Sequence, residues 1–308
     1  MAVARNGQPR DVTSYRRAAM SGSVRRAAVA GTWYPKAAPA LEAAVDWHLA
    51  TAARGVTPDG ELFALIAPHA GLTYSGPVAA HAYRLLRGRD FDVAVLVGPS
   101  HYAGFDGVAL FPSGGFETPL GMMRIDSECA RAIAAASPVV HDEPAVHARE
   151  HSLEMQLPFL ARLVPDLPIV PMLVGYQTAA TAAALGDALT RALRGRRALL
   201  IASSDLSHYH DAHTAAAMDN IVIECVTSFE PDGLQAVLDA RPEHACGGGP
   251  MVAVMRAARA AGARDARILH HADSGDVSGD KSSVVGYLAA AFGNFDDPAT
   301  TADTPGTS

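Results

Sequence analysis

The chain of 308 residues is 49% hydrophobic and 19% charged, a globular composition with material for one large α/β domain or two ordinary ones. A net charge of -7 with a pI near 6 excludes nucleic-acid binding through a global basic field. No apolar run approaches the roughly 18 residues of a membrane span, and no apolar stretch follows the N-terminal arginines as a signal peptide requires. Residues 1–23, with Arg5, Arg10, Arg16 and Arg17 and little apolar content, are predicted to be a disordered leader, the alternative being a basic arm. Met20 is an alternative start, because the globular pattern begins at Val24. Strands are predicted near 62–67, 92–98, 107–111, 168–174, 198–204, 266–271 and 282–291. Helices are predicted at 39–53, 76–87, 126–136, 151–164, 178–194, 212–228 and 249–262. This alternation implies a single three-layer α/β/α domain over 24–293 with a mostly parallel mixed sheet, followed by a disordered tail over 294–308. The cysteines, Cys129, Cys225 and Cys246, are odd in number and widely spaced; they form no disulfide framework and fit a reducing cytoplasm.

Three of these strands deliver polar residues at their carboxyl ends, where open α/β sheets bind ligands. His69 follows Leu62-Phe-Ala-Leu-Ile-Ala-Pro68, and His101 follows Val93-Ala-Val-Leu-Val-Gly-Pro-Ser100. Either histidine alone reads as a hydrogen-bonded loop residue. Their matched placement points to a pair of imidazole ligands, which suit Fe, Cu, Ni or Zn. Gly71 and Gly76, following the first histidine, suggest backbone close to a ligand. The strand at 198–204 leads into Asp205-Leu-Ser-His208, where Asp205 could orient His208 as a general base. Alternatively, Asp205 caps the next helix, with His210 and His213 solvated in its first turn.

Cys246 opens Cys-Gly-Gly-Gly-Pro250, directly before an apolar helix, where a helix N-terminus favours the thiolate as ligand or nucleophile. Cys129 and Cys225 fit small buried thiols on helices. His147-Ala-Arg-Glu-His151 matches the H-x-x-E-H zinc-hydrolase pattern, but His151 onward also reads as the start of an amphipathic helix. On that second reading Glu150, His151 and Glu154 line the pocket as polar supporting groups. The polar turn Asp273–Lys281 lacks the terminal glutamate of an EF-hand and reads as a loop at the pocket rim.

Taken together, these segments resemble one family. Ala30-Gly-Thr-Trp-Tyr-Pro35, Pro68-His-Ala-Gly71 and Gly98-Pro-Ser-His101 look like its N-terminal half. Glu150-His-Ser-Leu-Glu154, Ser203–His208, Ala245-Cys-Gly247 and Ser274–Ser283 look like the remainder, in the family's order, and the resemblance runs from about Ala27 to Phe292. On these motifs the chain resembles the Memo family (mediator of ErbB2-driven cell motility). It looks like the Memo component, protein B, of the bacterial AmmeMemoRadiSam system.

The resemblance implies a fold similar to class III extradiol dioxygenases, the non-haem iron enzymes that open catechol rings. It carries the metal positions onto His69, His101 and Cys246, and a further pocket pair onto Asp205 and His208. The dioxygenases use a glutamate where this chain has Cys246, and a thiolate makes the metal softer, which implies Fe(II) or Cu ahead of Zn. Two functions are expected from this. The first is a dioxygenase-like oxidoreductase acting on a small molecule, with His208 moving a proton and Tyr74 or Tyr209 contacting substrate. The alternative is a non-catalytic module that binds a peptide or protein in the inherited pocket. Implied partners are the AMMECR1-type and radical-SAM proteins of the same system, with no nucleic acid or membrane partner.

Overall fold

The computed structural model describes residues 23–53 and 58–296. The first half runs β1 (Val24–Arg25), α1 (Ala38–Ala52), β2 (Gly60–Ala67), α2 (Leu72–Tyr83), β3 (Val93–Pro99) and β4 (Val108–Leu110). It continues through β5 (Gly115–Thr118), β6 (Gly121–Arg124), α3 (Ser127–Ala136) and β7 (Val140–Asp142). The second half begins with α4 (Leu157–Leu163), β8 (Ile169–Val174), α5 (Ala179–Ala192), β9 (Ala198–Ser203) and β10 (Asp205–His210). There follow α6 (Ala212–Thr227), α7 (Pro231–Ala240), α8 (Gly248–Ala261), β11 (Asp265–Asp273), the short α9 (Gly275–Ser278) and β12 (Val284–Phe295).

Strands apolar on both faces build the centre of the sheet. All of β3 is buried, with Ala94 and Leu96 facing one core and Val93, Val95 and Val97 the other. The same alternation places Leu65, Leu199 and Ile201 on the first side and Ala64, Ile66, Leu200 and Ala202 on the second. This is the signature of strands covered on both faces. The first core takes Leu41, Val45 and Leu49 from α1, Tyr83 from α2 and Phe159 from α4. The second takes Ile133 from α3, Leu185 from α5, Val222 from α6, Leu234 from α7 and Met251 and Met255 from α8. A three-layer α/β/α domain results. In the main sheet, β2, β9, β3 and β8 are adjacent and parallel, while β4 and β12 join antiparallel at either side. Both β10 and β11 pair with β12, and β5–β6 form a separate hairpin with β1.

Several elements differ from expectation. Helix α2 starts at Leu72, not 76, because Gly71 supplies the N-cap and the Trp33 carbonyl accepts the Leu72 N–H at 2.8 Å. Pro77 therefore lies inside the helix. The expected helix over 151–164 is reduced to a 3₁₀ turn, Glu154–Gln156, and α4. Asp211, not Asp205, caps α6, accepting the N–H groups of His213 and Thr214 at 3.1 Å each. His210 consequently ends β10 and only His213 lies in the helix. Strand β12 runs to Phe295, so Asn294 and Phe295, expected in the tail, belong to the sheet. Residues 1–22 of the leader, Met20 included, and residues 297–308 of the tail lie outside the described residues.

Candidate metal centre

The carboxyl ends of β2, β3 and β9 converge with the loop before α8, and the proposed ligands meet there. His69 Nε2 lies 3.2 Å from Cys246 Sγ, although the two residues are 177 positions apart. The His69 and His101 rings meet edge to face, with centroids 5.1 Å apart. One ligand atom from each of His69, His101 and Cys246 lies within 4.8 Å of the others. Bonds of about 2.0–2.3 Å to a shared metal put ligand atoms roughly 3–4 Å apart, so the donor set is close to a binding geometry. Two imidazoles and a thiolate suit Fe, Cu or Zn, and three protein ligands leave a coordination position open.

His101 is oriented by Glu150. Its ring Nδ1 lies 2.9 Å from Glu150 Oε1, and its backbone N–H donates to Oε2 at 2.5 Å. An ionised carboxylate only accepts, so Nδ1 carries the proton and Nε2 keeps its lone pair for a ligand. Burial pushes the Glu150 carboxyl up, but the His101 ring and the N–H groups of His101 and Ser152 outweigh it and hold it at about 2. A second candidate cluster joins His101, Glu150 and His151. Its carboxylate is already occupied, because the N–H groups of His151 and Ser152 also donate to Oε1, at 2.8 and 2.9 Å. Through these contacts Glu150 fixes the orientation of the His101 ring.

Cys246 lies just before Gly247, the N-cap of α8, outside the helix itself. Burial first, and then the Asp205 carboxylate, push its thiol well above the ordinary value. This reverses the expectation of a lowered pKa, because desolvation outweighs the helix end; binding a metal would have to displace the proton. Three contacts seat the loop. The Gln177 amide donates to the Cys246 carbonyl at 2.7 Å and accepts from the Gly249 N–H at 2.8 Å. A Cβ on Gly247 would fall 2.3 Å from the Ser203 carbonyl oxygen, so only glycine lets the loop press against the end of β9.

Asp205 and His208 both approach the site, but not as a pair. Asp205 Oδ1 accepts the His69 N–H at 2.7 Å, which fixes the loop after β2. Burial raises its carboxyl to about 7, against the opposing pull of the His69 and Ala70 N–H groups. His208 Nδ1 is bound to the Leu206 carbonyl at 2.8 Å, so the expected orientation of His208 by Asp205 is replaced by a backbone contact. Burial also lowers the His208 pKa, with the neighbouring His101 adding to the effect.

The segment following His147 divides. His147 is buried with Nε2 on the Ala109 carbonyl at 3.0 Å and its ring against Phe111 and Phe116. It joins neither candidate ligand cluster among the described residues, and the zinc-hydrolase pattern is not assembled. His151 does reach the centre, stacked on His101 with centroids 4.5 Å apart and held at a pKa of about 4 by burial. Glu154 turns away from it. Fully buried, it binds the Arg25 guanidinium, the Tyr34 hydroxyl and the Ala28 and Val29 N–H groups.

Other expectations also change in detail. Gly76 packs on protein, since a Cβ there would lie 2.8 Å from His48 Nε2, and Gly71 lies against the Trp33 backbone. In the Asp273–Lys281 turn, Lys281 Nζ pairs with both Asp273 and Asp276 at 2.7–3.0 Å. Tyr74 and Tyr209 are exposed, and the Tyr209 ring lies edge-on to His208. Sequence reasoning missed Trp33, against His151, and Tyr102, which contacts His151 and lies under Arg149. Tyr102 directly follows His101 and Trp33 lies in the Gly-Thr-Trp-Tyr-Pro segment, so position in the chain was the available signal.

The three-layer fold thus gathers two imidazoles and a thiol at its strand ends, a group that could hold a metal ion. The family model described as Memo-like protein matches residues 25–291, and the chain belongs to the Memo family. The chain is 39% identical over 272 residues to the MEMO1 family protein MTH_45 of Methanothermobacter thermautotrophicus, covering 86% of this chain and 98% of that one. It is 37% identical over 277 residues to the MEMO1 family protein PAE0818 of Pyrobaculum aerophilum, covering 87% and 99%. A solved structure, uncharacterized protein JW3007 from Escherichia coli K12, is similar at 17% identity and TM-score 0.47, covering 74% of this chain and 99% of its own.

Proposed function

We propose that this Memo-family protein is a metal-dependent oxidoreductase acting on a small molecule, with His69, His101 and Cys246 holding Fe(II) or Cu. The observation that carries the reading is the convergence of the two imidazoles and the thiol within 4.8 Å, with Glu150 directing His101 Nε2 away from its own contact. A metal held there would supply Lewis acidity and redox chemistry. His208 supports the proton-handling role: Nδ1 is tied to Leu206, which leaves Nε2 to take a proton, and burial favours the neutral form. Trp33, His151 and Tyr102 form an aromatic wall beside His101, and Tyr74 and Tyr209 offer further exposed contact surface for substrate.

The exposed tyrosines also favour a second reading, a pocket that recognises a peptide or protein without turnover. AMMECR1-type and radical-SAM proteins are the partners we propose from the family resemblance. A cytoplasmic location is proposed from the three free thiols. Among the described residues, no helix is long and apolar enough to cross a membrane.

Protein loaded anaerobically with Fe(II) or Cu(I) is expected to consume dioxygen when screened against small phenols and other small organic reductants. His208→Ala should slow that turnover about 10²–10⁴-fold with metal content unchanged. Undiminished turnover in the variant would remove His208 from the mechanism. No turnover in the loaded wild type, with a co-purifying partner retained after chelation, would favour the binding module.

A further inference from the structure

The buried groups behind His69 form a closed hydrogen-bond chain with a single consistent direction. Gln156 Nε2 lies 3.1 Å from the Pro68 carbonyl, 2.7 Å from Ser203 Oγ and only distantly, at 3.4 Å, from the Ser152 carbonyl, while its Oε1 accepts the Tyr83 hydroxyl at 2.7 Å. Turning the amide over would set its oxygen against the Pro68 carbonyl and its NH₂ against the tyrosine, so the donor end must face Ser203. Ser203 Oγ in turn lies 2.7 Å from the Ser152 carbonyl, which can only accept. Two oxygens that close need a hydrogen between them, so the serine's one hydrogen is used there, and one of its two lone pairs is taken by Gln156. The remaining lone pair faces His69 Nδ1 at 2.8 Å. All of these side chains are fully buried or nearly so, where no solvent competes for the bonds.

We propose that Ser203 and Gln156, anchored by Tyr83, are positioning residues that lock His69 as its Nδ1–H tautomer before any metal arrives. The lone pair on Nε2 is then already aimed at Cys246 Sγ, and the site accepts its ligand without turning or re-protonating the ring. Glu150 does the same for His101 with a carboxylate, so the two imidazoles are set by independent means, one charged and one neutral. Tyr83 lies beyond Gln156, and its ring is stacked on Phe159 with centroids 4.9 Å apart. Packing in the first core is thereby linked to the chemistry of one ligand nitrogen. The inference rests on the proposed function for its consequence, metal binding, but not for the tautomer itself.

Nitrogen-15 NMR of the histidine rings in the metal-free full chain separates the two. Wild-type protein should show His69 only as the Nδ1–H tautomer. Ser203→Ala removes the acceptor, and Gln156→Met frees the Ser203 hydroxyl to turn; both should populate the Nε2–H form. His101 should stay Nδ1–H in both variants, which also reports that the fold is intact. Competition titration with Zn(II) as the probe should then show metal affinity about 10–100-fold lower in Ser203→Ala. A wild-type His69 carrying its proton on Nε2, or an unchanged Nδ1–H tautomer in both variants, would overturn the relay. A wild type with the expected tautomer but no metal uptake would instead overturn the metal centre and leave the relay standing.

Discussion

Glu150 and Glu154 are one helical turn apart in sequence, yet they serve different parts of the molecule. Together with His151, both are expected from the sequence to line the pocket as polar supporting groups. The chain instead passes through a turn and a 3₁₀ segment, and that geometry sends Glu154 to Arg25 and Tyr34. Glu154→Ala would leave the Arg25 guanidinium, only 3% exposed, without its charge partner. Breaking a buried pair in this way costs about 3–5 kcal/mol, measurable as a lower urea midpoint, while metal uptake by the folded fraction should be unchanged. A cost below about 1 kcal/mol would show that Arg25 finds solvent or another partner. At this scale residue types and strand-end positions were legible, and side-chain directions were not. Asp205 illustrates the limit: its carboxylate reaches the backbone of a loop 136 residues away, which no local pattern records.

Among the elements, the doubly buried strands β2, β3, β8 and β9 were legible because continuous apolar runs ended by Pro, Gly or polar residues define both their length and their ends. Shorter elements were not. The hairpin β5–β6 has four residues per strand and β7 has three, too few for a period to show. Strand β10 is mostly polar and is defined by an irregular pairing with β12. The contact between α2 and β11 carries a pH response of its own, through His81 and His270 stacked with centroids 4.4 Å apart. Burial, then the His270 ring and Arg84, lower the His81 pKa to about 4, and burial with His271 lowers that of His270. The unfolded chain takes up these protons near pH 6.5 and the folded one resists. Their contribution to stability is therefore complete above about pH 6.5 and is lost as pH falls toward 4. His81→Phe keeps a ring in the stack without the titrating group. Its unfolding free energy should fall less steeply between pH 6.5 and 4 than that of the wild type, by about 1 kcal/mol across the interval once solvent screening of these half-exposed rings is allowed for. Parallel pH profiles would contradict this origin of acid sensitivity.

For the whole molecule, one sheet brings three strand ends and a loop to a common edge, and the proposed function depends on that convergence. His69 leaves β2, His101 leaves β3, and Cys246 is held against the end of β9 by Gly247, Ser204 and Gln177. The place where the candidate residues meet was legible because polar residues at the carboxyl ends of buried strands share one edge in such folds. The supporting groups Ser203, Gln156 and Gln177 were not, since each matters only through contacts made after folding. The most direct measurement is the metal content of protein purified anaerobically, in the wild type and in His101→Ala, Cys246→Ala and His147→Ala. A His69–His101–Cys246 centre should give about one equivalent of Fe or Cu in the wild type and His147→Ala, and little in the other two. Metal retained in both His101→Ala and Cys246→Ala, or lost only with His147→Ala, would contradict it.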